Sequence, residues 1–279
     1  MAINEVIVNG VTELSLVNDT VSEASLLEGE TAHAASGEAI VGKAKYINPN
    51  LIDNPDFSID QRSFSGDFSE VGKYFVDRWI LDSGTVTINA NGSILLNGTI
   101  SQKLEKAVNG VFVAQASAGV ASYDDVNKIF TVSATNEVIS WAKLEVGSVP
   151  TPFVPPNTAV ELVKCQRYYA PVFKTNGTPV QFNGAGIAVT NTMVRLLINL
   201  PNTLRIATPT AVLTGSLYLI NSTHITNNSI PVKNINGLYV NGNILQLDVN
   251  VEGVTLENSV LYMLSRRNME TTLALSADL

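Results

Sequence analysis

The dipeptide Asn-Gly recurs along the chain, and it limits the possible folds more than any other feature of the sequence. Both residues tolerate positive φ, so the pair favours the tight type I′ turns that join two strands of a β-hairpin. Copies begin at Asn9, Asn91, Asn97, Asn109, Asn176, Asn183, Asn236 and Asn241. The stretches between them are short and rich in Val, Ile, Thr and Leu, as in TVTINA and ILQLDVNV, and several alternate apolar with polar residues. This pattern predicts a mainly β fold.

Only two segments have the features of a helix, and both are short. In the first, Thr20 and Glu23 have the spacing of a capping box, and Gly29 would end the helix. In the second, Thr158 and Glu161 repeat that spacing ahead of residues with helical periodicity. We therefore expect two short helices within an otherwise β chain.

Turn signals and a proline run divide the chain into three predicted parts. Residues 1–46 form a small N-terminal module with a strand, the first helix and a hairpin around Ser36 and Gly37. Residues 47–157 form a β domain that begins at NLIDNPDF and ends in the run TPFVPP. Residues 158–279 hold the second helix, as a short linker, followed by a second β domain. The prolines favour an extended connection, because proline fixes φ and cannot join a central ladder.

The composition argues against several classes of protein. Hydrophobic residues make up 45% and charged residues 15% of the 279 residues, but no apolar run reaches the length of about 18 residues that indicates a membrane span. Contact between subunits is the simplest way to bury the excess apolar surface. A net charge of −8 argues against a nucleic-acid partner. The N-terminus, MAINEVIVNG, lacks the charged and apolar regions of a secretory signal.

Residues suited to catalysis are few. The two histidines, His33 and His224, lie in different predicted parts and in no metal-ligand pattern. The single cysteine, Cys165, cannot form an internal disulfide, and Lys164 and Arg167 lie near enough in sequence to lower its pKa. The favoured interpretation of Cys165 is a small buried residue on the inner face of the second helix. These residues therefore predict a protein that is not an enzyme.

Carboxylates concentrate in the segment IDNPDFSIDQRSFSGDF, which contains Asp53, Asp56, Asp60 and Asp67. Oxygen ligands of this kind could hold a structural Ca²⁺, for which Asp53 and Asp56 are the weak candidates. Paired carboxylates could also hydrolyse a glycoside, with Asp53, Asp56 or Asp67 as the acting groups. The spacing does not match an EF-hand loop, and solvated turn residues are the favoured interpretation. No other cofactor is expected.

Aromatic residues are candidates for a ligand surface, because sugars stack on exposed rings. Trp79 and Trp141 lie among apolar residues, and we expect both in the core. Tyr218, Tyr239 and Tyr262, in the last predicted domain, are better placed for display. Each of these tyrosines could equally pack at a subunit contact. They are the candidate ligand-binding residues of the chain.

Four motifs resemble one family. The segment NLIDNPDFSIDQR, followed by DRWIL as a strand, resembles the start of a carbohydrate-binding-module-like jelly roll found in tail fibre and tail appendage proteins of bacteriophages and prophages. ISQKLE resembles a later strand, WAKLEVGSVPTPFVPP the close of that domain, and ELVKCQRYY the helix that comes next. LRIATPTAVLTG and LALSADL resemble the family's C-terminal part more loosely. Residues 1–45 resemble a small module in tail proteins of phages of Gram-positive bacteria.

The resemblance implies a jelly roll or β-sandwich between an N-terminal attachment module and a C-terminal β domain. It implies a non-enzymatic structural or receptor-binding protein of the virion tail, made in the bacterial cytoplasm without membrane insertion. Residues 1–46 would contact other tail or baseplate proteins, the chain would form a homotrimer, and the candidate partner on the host is a cell-surface glycan. A purely structural tail-tip or decoration protein and a glycan depolymerase are the alternatives. The segment after Gly110 lacks the regular strand of the family, which implies a scaffold that could persist without sugar binding.

Overall fold

The computed structural model describes residues 4–43, 47–173, 181–221, 229–257, 260–266 and 271–278. Strands account for 51% of the structure and helix for 4%, which confirms the predicted mainly β class. Contacts divide the chain into two compact units. The N-terminal unit holds Met1–Pro49, Gly110–Val113 and Glu145–Val154, and the main unit holds Asn50–Asn109, Ala114–Leu144 and Pro155–Leu279. The predicted boundaries at 46/47 and 157/158 stay predictions.

Two hairpins form the regular structure of the N-terminal unit. Strands β1 (Glu5–Val8) and β2 (Val11–Ser15) pair antiparallel, and so do β3 (Thr31–His33) and β4 (Ala39–Val41). The first turn is Asn9-Gly10, with both φ angles positive at 51° and 79°, as the Asn-Gly pattern predicts. The second hairpin turns around Ser36 and Gly37, also as predicted.

The first predicted helix is wrong, because residues 23–25 form only a turn. Ser22 and Ser25 explain the difference. The Ser22 N–H donates to the Ser25 hydroxyl at 2.8 Å, and the Ser25 N–H donates to the Ser22 hydroxyl at 3.3 Å. Side-chain bonds of this kind compete with a continuing helix. The chain then joins the second hairpin, where the Gly42 N–H donates to the Glu30 carbonyl at 2.8 Å.

Eight strands form the middle of the chain. They are β5 (Gly66–Phe68), β6 (Lys73–Val76), β7 (Trp79–Ile88), β8 (Ile94–Lys103), β9 (Phe112–Ala116), β10 (Val120–Asp124), β11 (Ile129–Ile139) and β12 (Ala142–Val146). One sheet has the order β10-β11-β8-β7-β5 with β6 also paired to β7, and β9 pairs with β12 in a second sheet. A regular strand, β9, thus follows Gly110, where the sequence predicts none. Trp79 is fully buried, as expected, whereas Trp141, also expected in the core, is only half-buried.

The segment YFVDRWIL is a hairpin, and its turn takes the first two residues of the predicted DRWIL strand. Strands β6 and β7 pair with Val76 opposite Trp79, and Asp77 and Arg78 form the turn between them. Arg78 has a φ of 73°, which reverses the chain. Its guanidinium then lies over the Tyr168 ring, 3.6 Å from the ring centre. This contact with a residue far along the chain favours the turn.

The only helix of the described residues is α1 (Thr158–Gln166). Its N-cap is Asn157, whose side chain accepts from the Ala159 N–H at 2.9 Å, and the predicted capping box of Thr158 and Glu161 is wrong. Glu161 instead points inward, 2% exposed. Cys165 is buried on the inner face of the helix, as predicted.

Nine strands follow the helix in the described part of the chain. They are β13 (Tyr169–Pro171), β14 (Gln181–Thr190), β15 (Met193–Asn199), β16 (Thr210–Thr214), β17 (Leu217–Asn221), β18 (Ser229–Asn241), β19 (Ile244–Val251), β20 (Leu261–Arg266) and β21 (Thr272–Ser276). Six of them close a barrel in the order β14-β15-β19-β18-β17-β20, and three form the sheet β13-β21-β16. The barrel interior is filled by side chains such as Leu196, Leu219, Leu247 and Leu264.

Three Asn-Gly pairs lie within strands, so the expectation of a turn at each copy is wrong. Gly98 lies in β8, opposite Gly84 of β7. Gly184 in β14 and Gly237 in β18 lie at register shifts of their ladders. Glycine suits these places because a bulge or a close strand contact leaves no room for a side chain. The copy at Asn176 lies outside the described residues.

The glycine pair of β7 and β8 gives a test of this packing. A Cβ on Gly84 would lie 2.0 Å from the Asn97 carbonyl oxygen, whereas a Cβ on Gly92, in an exposed turn, would meet nothing within 4 Å. Both glycines have positive φ, at 81° and 85°. We expect Gly92→Ala to lower the free energy of unfolding by about 1 kcal/mol, the conformational cost alone. Gly84→Ala should cost at least about 2 kcal/mol more, because strand backbone must move. Urea denaturation measures both, and equal losses would contradict the close contact.

Candidate functional site

The outer face of the barrel brings an exposed tyrosine and an ion pair together. The ladder of β18 and β19 places Tyr239 opposite Gln246 and Gly237 opposite Asp248. The next ladder places Asp248 opposite Arg195 of β15. Paired residues share a face of a sheet, and so do residues two apart on one strand. We call these five residues the Tyr239 face.

Glycine at position 237 leaves room for the Tyr239 ring close to the strand. A Cβ on Gly237 would lie 3.3 Å from a ring carbon of Tyr239 and 3.5 Å from an Asp248 carboxylate oxygen. The tyrosine remains 59% exposed. Its ring therefore lies close to the Asp248 carboxylate while most of its surface faces solvent.

Arg195 and Asp248 form a bidentate ion pair beside this ring. The Arg195 Nε donates to one carboxylate oxygen of Asp248 at 2.9 Å, and Nη2 donates to the other at 2.8 Å. The hydrogen bond and charge of Asp248 raise the pKa of Arg195. The Asp248 side chain is 7% exposed and the Arg195 side chain 43%. The pair can bond a polar ligand in a fixed direction, because its planar geometry fixes both side chains.

The structure does not bring the three candidate tyrosines together. Tyr262 is 2% exposed and points into the barrel, where its hydroxyl accepts from the Glu257 N–H at 2.9 Å, so the expectation that it is displayed is wrong. Tyr218 is half-buried on β17. Tyr239 alone combines exposure with charged neighbours. Arg195 and Asp248, which the sequence did not single out, are 53 residues apart and meet only through strand register.

The acidic candidates are engaged in local structure. The Asp53 carboxylate pairs with the Arg78 Nε at 3.2 Å, and the Asp56 carboxylate accepts from the Ser58 hydroxyl at 2.8 Å. Asp67 accepts from the Thr87 hydroxyl at 2.6 Å. Among the described residues, no group of three or more His, Cys, Asp or Glu side chains could hold a metal ion. Asp53 and Asp56, the candidate ligands of a structural Ca²⁺, therefore belong to no such cluster.

Histidine and cysteine form no reactive group in the part of the chain that the structure describes. His33 is exposed in β3, and His224 lies outside the described residues. Burial raises the pKa of Cys165, and the nearby carboxylates of Asp77, Asp53 and Glu161 act in the same direction. The idea that Lys164 and Arg167 lower its pKa is therefore wrong. A protonated buried thiol is a packing group.

A polar joint holds helix α1 against the middle strands. The Glu161 carboxylate accepts from the Asn54 N–H at 2.8 Å, and the Asn54 carbonyl accepts from the Trp79 Nε1 at 2.9 Å. Beside it lies a cleft of about 280 Å³. Arg78 forms part of its wall and lies over the ring of Tyr168, whose hydroxyl donates to Glu105 at 3.0 Å. These groups bond to one another, so the cleft belongs to the joint.

A second part of the joint surrounds the buried carboxylate of Asp77. Gln61 donates to it from the backbone N–H at 2.6 Å and from Nε2 at 3.1 Å. The Gln61 Nε2 also donates to the Tyr169 carbonyl at 2.9 Å. Arg62 lies next to this group, with its guanidinium 3.9 Å from the centre of the Tyr169 ring and 2.7 Å from the Asp278 carboxylate. The middle strands and the C-terminal strands are thus bonded through charged and polar side chains.

Comparisons with known proteins assign neither a family nor a function to this chain. No protein-family model, curated protein or solved structure matches this chain. Within the described residues, no helix is long and apolar enough to cross a membrane.

The burial of Asp77 predicts a pH-dependent stability. Burial raises its pKa from 3.8 to about 6, despite the bonds from Gln61 and the charge of Arg62. Because the folded state holds its proton more tightly, the stability that this group contributes is complete below about pH 4 and is lost as the pH rises through about 6. The difference between a pKa of 3.8 and one of about 6 corresponds to about 3 kcal/mol.

Thermal denaturation of the wild type and Asp77→Asn between pH 4 and 7 measures this effect. The variant cannot ionise at that position, so its loss of stability across this range should be smaller by about that amount. Identical pH profiles for the two proteins would contradict the raised pKa.

Proposed function

We propose that this chain is a non-enzymatic structural and receptor-binding component of a bacteriophage or prophage-derived tail. Residues 1–46 attach it to other tail or baseplate proteins, and the Tyr239 face contacts the host surface. The motifs from NLIDNPDF to ELVKCQRYY support the tail assignment by resemblance. The observation that carries the binding role is the exposed ring of Tyr239 beside the Arg195–Asp248 pair.

A host cell-surface glycan is the ligand class that suits this face. The apolar C–H face of a sugar ring can pack on the flat aromatic surface, while its hydroxyls bond to charged groups at the edge. The Tyr239 ring lies close to Gly237 and Asp248, so its surface is beside the charged groups that would bond the sugar hydroxyls. Asp248 is bonded to Arg195 through both carboxylate oxygens, which suits recognition better than general acid or base chemistry.

Replacement of Tyr239 tests this role. With purified cell-wall polysaccharide of the host as the probe, we expect Tyr239→Ala to weaken binding about tenfold, because the stacking surface is lost. Tyr239→Phe keeps the ring and should retain most of the affinity. Val126→Ala, a change at a turn valine that is 88% exposed, is the surface control. Isothermal titration gives the affinities. An absence of wild-type binding at millimolar polysaccharide would leave the purely structural tail role.

The exposed apolar surface of the chain supports the proposed homotrimer. Apolar side chains outside the Tyr239 face, such as Val160 and Val163 on helix α1 and Val212 on β16, are about half exposed, and contact between copies would remove them from water. Sedimentation equilibrium of the purified chain should give three times the monomer mass. A stable monomer at micromolar concentration would contradict the trimer.

A further inference from the structure

The hairpin of β1 and β2 presents an apolar stripe that the chain itself leaves exposed. The ladder pairs Val6 with Leu14 and Val8 with Val11, and a register shift between Val6 and Ile7 leaves Glu13 as an extra residue on β2. Cross-strand partners share a face, and Val6 and Val8 are two apart on the regular strand β1, so both pairs lie on one face. These four side chains are 37%, 47%, 49% and 59% exposed, in the order Val6, Leu14, Val8, Val11. Every residue of both strands is exposed. The hairpin therefore has one apolar face and no buried face.

Both long edges of this hairpin are also open. Its sheet contains two strands, so the outward N–H and C=O groups of β1 and of β2 pair with no third strand of the described chain. A two-stranded hairpin is marginally stable in water, and three or more strands with a covered apolar face are needed for independent stability. An added strand on either edge would extend the sheet and widen the apolar face.

The charge of the N-terminal unit indicates the chemistry of the missing partner. This unit contains eight of the 25 acidic residues and two of the 17 basic residues, which gives it −6 of the net charge of −8. Glu5 and Glu13 lie in the hairpin itself. Two such units would repel each other, whereas a basic surface would be attracted. The charge thus favours a separate protein over a second copy.

We propose that the β1–β2 hairpin docks a β-strand of a separate, basic tail protein by strand addition. The partner strand carries apolar residues on the face that continues Val6, Val8, Val11 and Leu14, and lysine or arginine near Glu5 and Glu13. This inference rests on the proposed tail function, and it names the chemistry by which residues 1–46 attach. Main-chain bonds along the edge supply affinity, and the apolar and charged side chains supply specificity.

The probe is a preparation of tail particles that lack this protein. The particles are made from the phage that encodes the protein. The full chain is co-sedimented with these particles in three forms: wild type, Val8→Asp/Val11→Asp and Glu5→Lys/Glu13→Lys. We expect each double variant to bind at least tenfold more weakly, and wild-type binding to weaken as salt rises from 50 to 500 mM. Val126→Asp and Glu137→Gln, at exposed positions of the main unit, should bind as the wild type does. Circular dichroism checks that each variant is folded.

The outcomes separate the two proposals. Wild-type binding that neither double variant weakens, or that salt does not change, would overturn the docking inference and leave the tail role. No binding of the wild type to the particles would overturn the tail role, and the docking with it. Sedimentation of the chain alone provides a further check, because a change of oligomeric state in Val8→Asp/Val11→Asp would show that the hairpin binds a second copy.

Discussion

The buried carboxylate of Glu161 connects the two largest parts of the structure. It accepts from the Asn54 N–H and pairs with Lys164 one turn later on the helix. The Asn54 side chain accepts from the Ile59 N–H and donates to the carbonyls of Ile59 and Asp77, so one asparagine fixes the opening turn of the middle strands. Removing a partner from a buried charge costs several kcal/mol. Helix α1 is therefore held where its end can place Tyr168 against Arg78.

This joint explains why the middle and C-terminal strands share one compact unit. An extended proline run alone would leave two β domains free to move. Instead, Gln61, Arg62 and Arg78 from the middle segment contact Tyr169, Asp278 and Tyr168 from the C-terminal segment. The Arg62 guanidinium stacks on Tyr169 and also pairs with Asp278, which combines cation–π attraction with an ion pair. A rigid joint of this kind would hold the barrel at a fixed orientation to the middle sheet and so fix the direction in which the Tyr239 face points.

The sequence predicts the local and repetitive features well. The mainly β class, the Asn9-Gly10 hairpin, the position of α1 and the burial of Cys165 and Trp79 follow from turn chemistry, periodicity and composition. Features set by distant contacts could not be predicted. Glu161 has the spacing of a capping residue, but its partner is Asn54, 107 residues away. Gly98, Gly184 and Gly237 have the local signature of turns, although strand pairing uses them as bulges or close contacts. The sequence does not distinguish the position of Tyr262 from that of Tyr239, and only the barrel register places one ring inside and the other outside.

The same register explains where the excess hydrophobicity of the chain is located. Apolar side chains that a single copy leaves exposed occur on the outer barrel face and on the β1–β2 hairpin, and these two surfaces differ in charge. On the barrel, Arg195 and Asp248 neutralise each other among apolar neighbours, which is compatible with contact with an uncharged partner. On the hairpin, the acidic residues have few basic residues near them in sequence, so association of identical copies would concentrate negative charge. Electrostatics therefore favours different partners for the two surfaces, with a neutral glycan at the barrel and a basic protein at the hairpin.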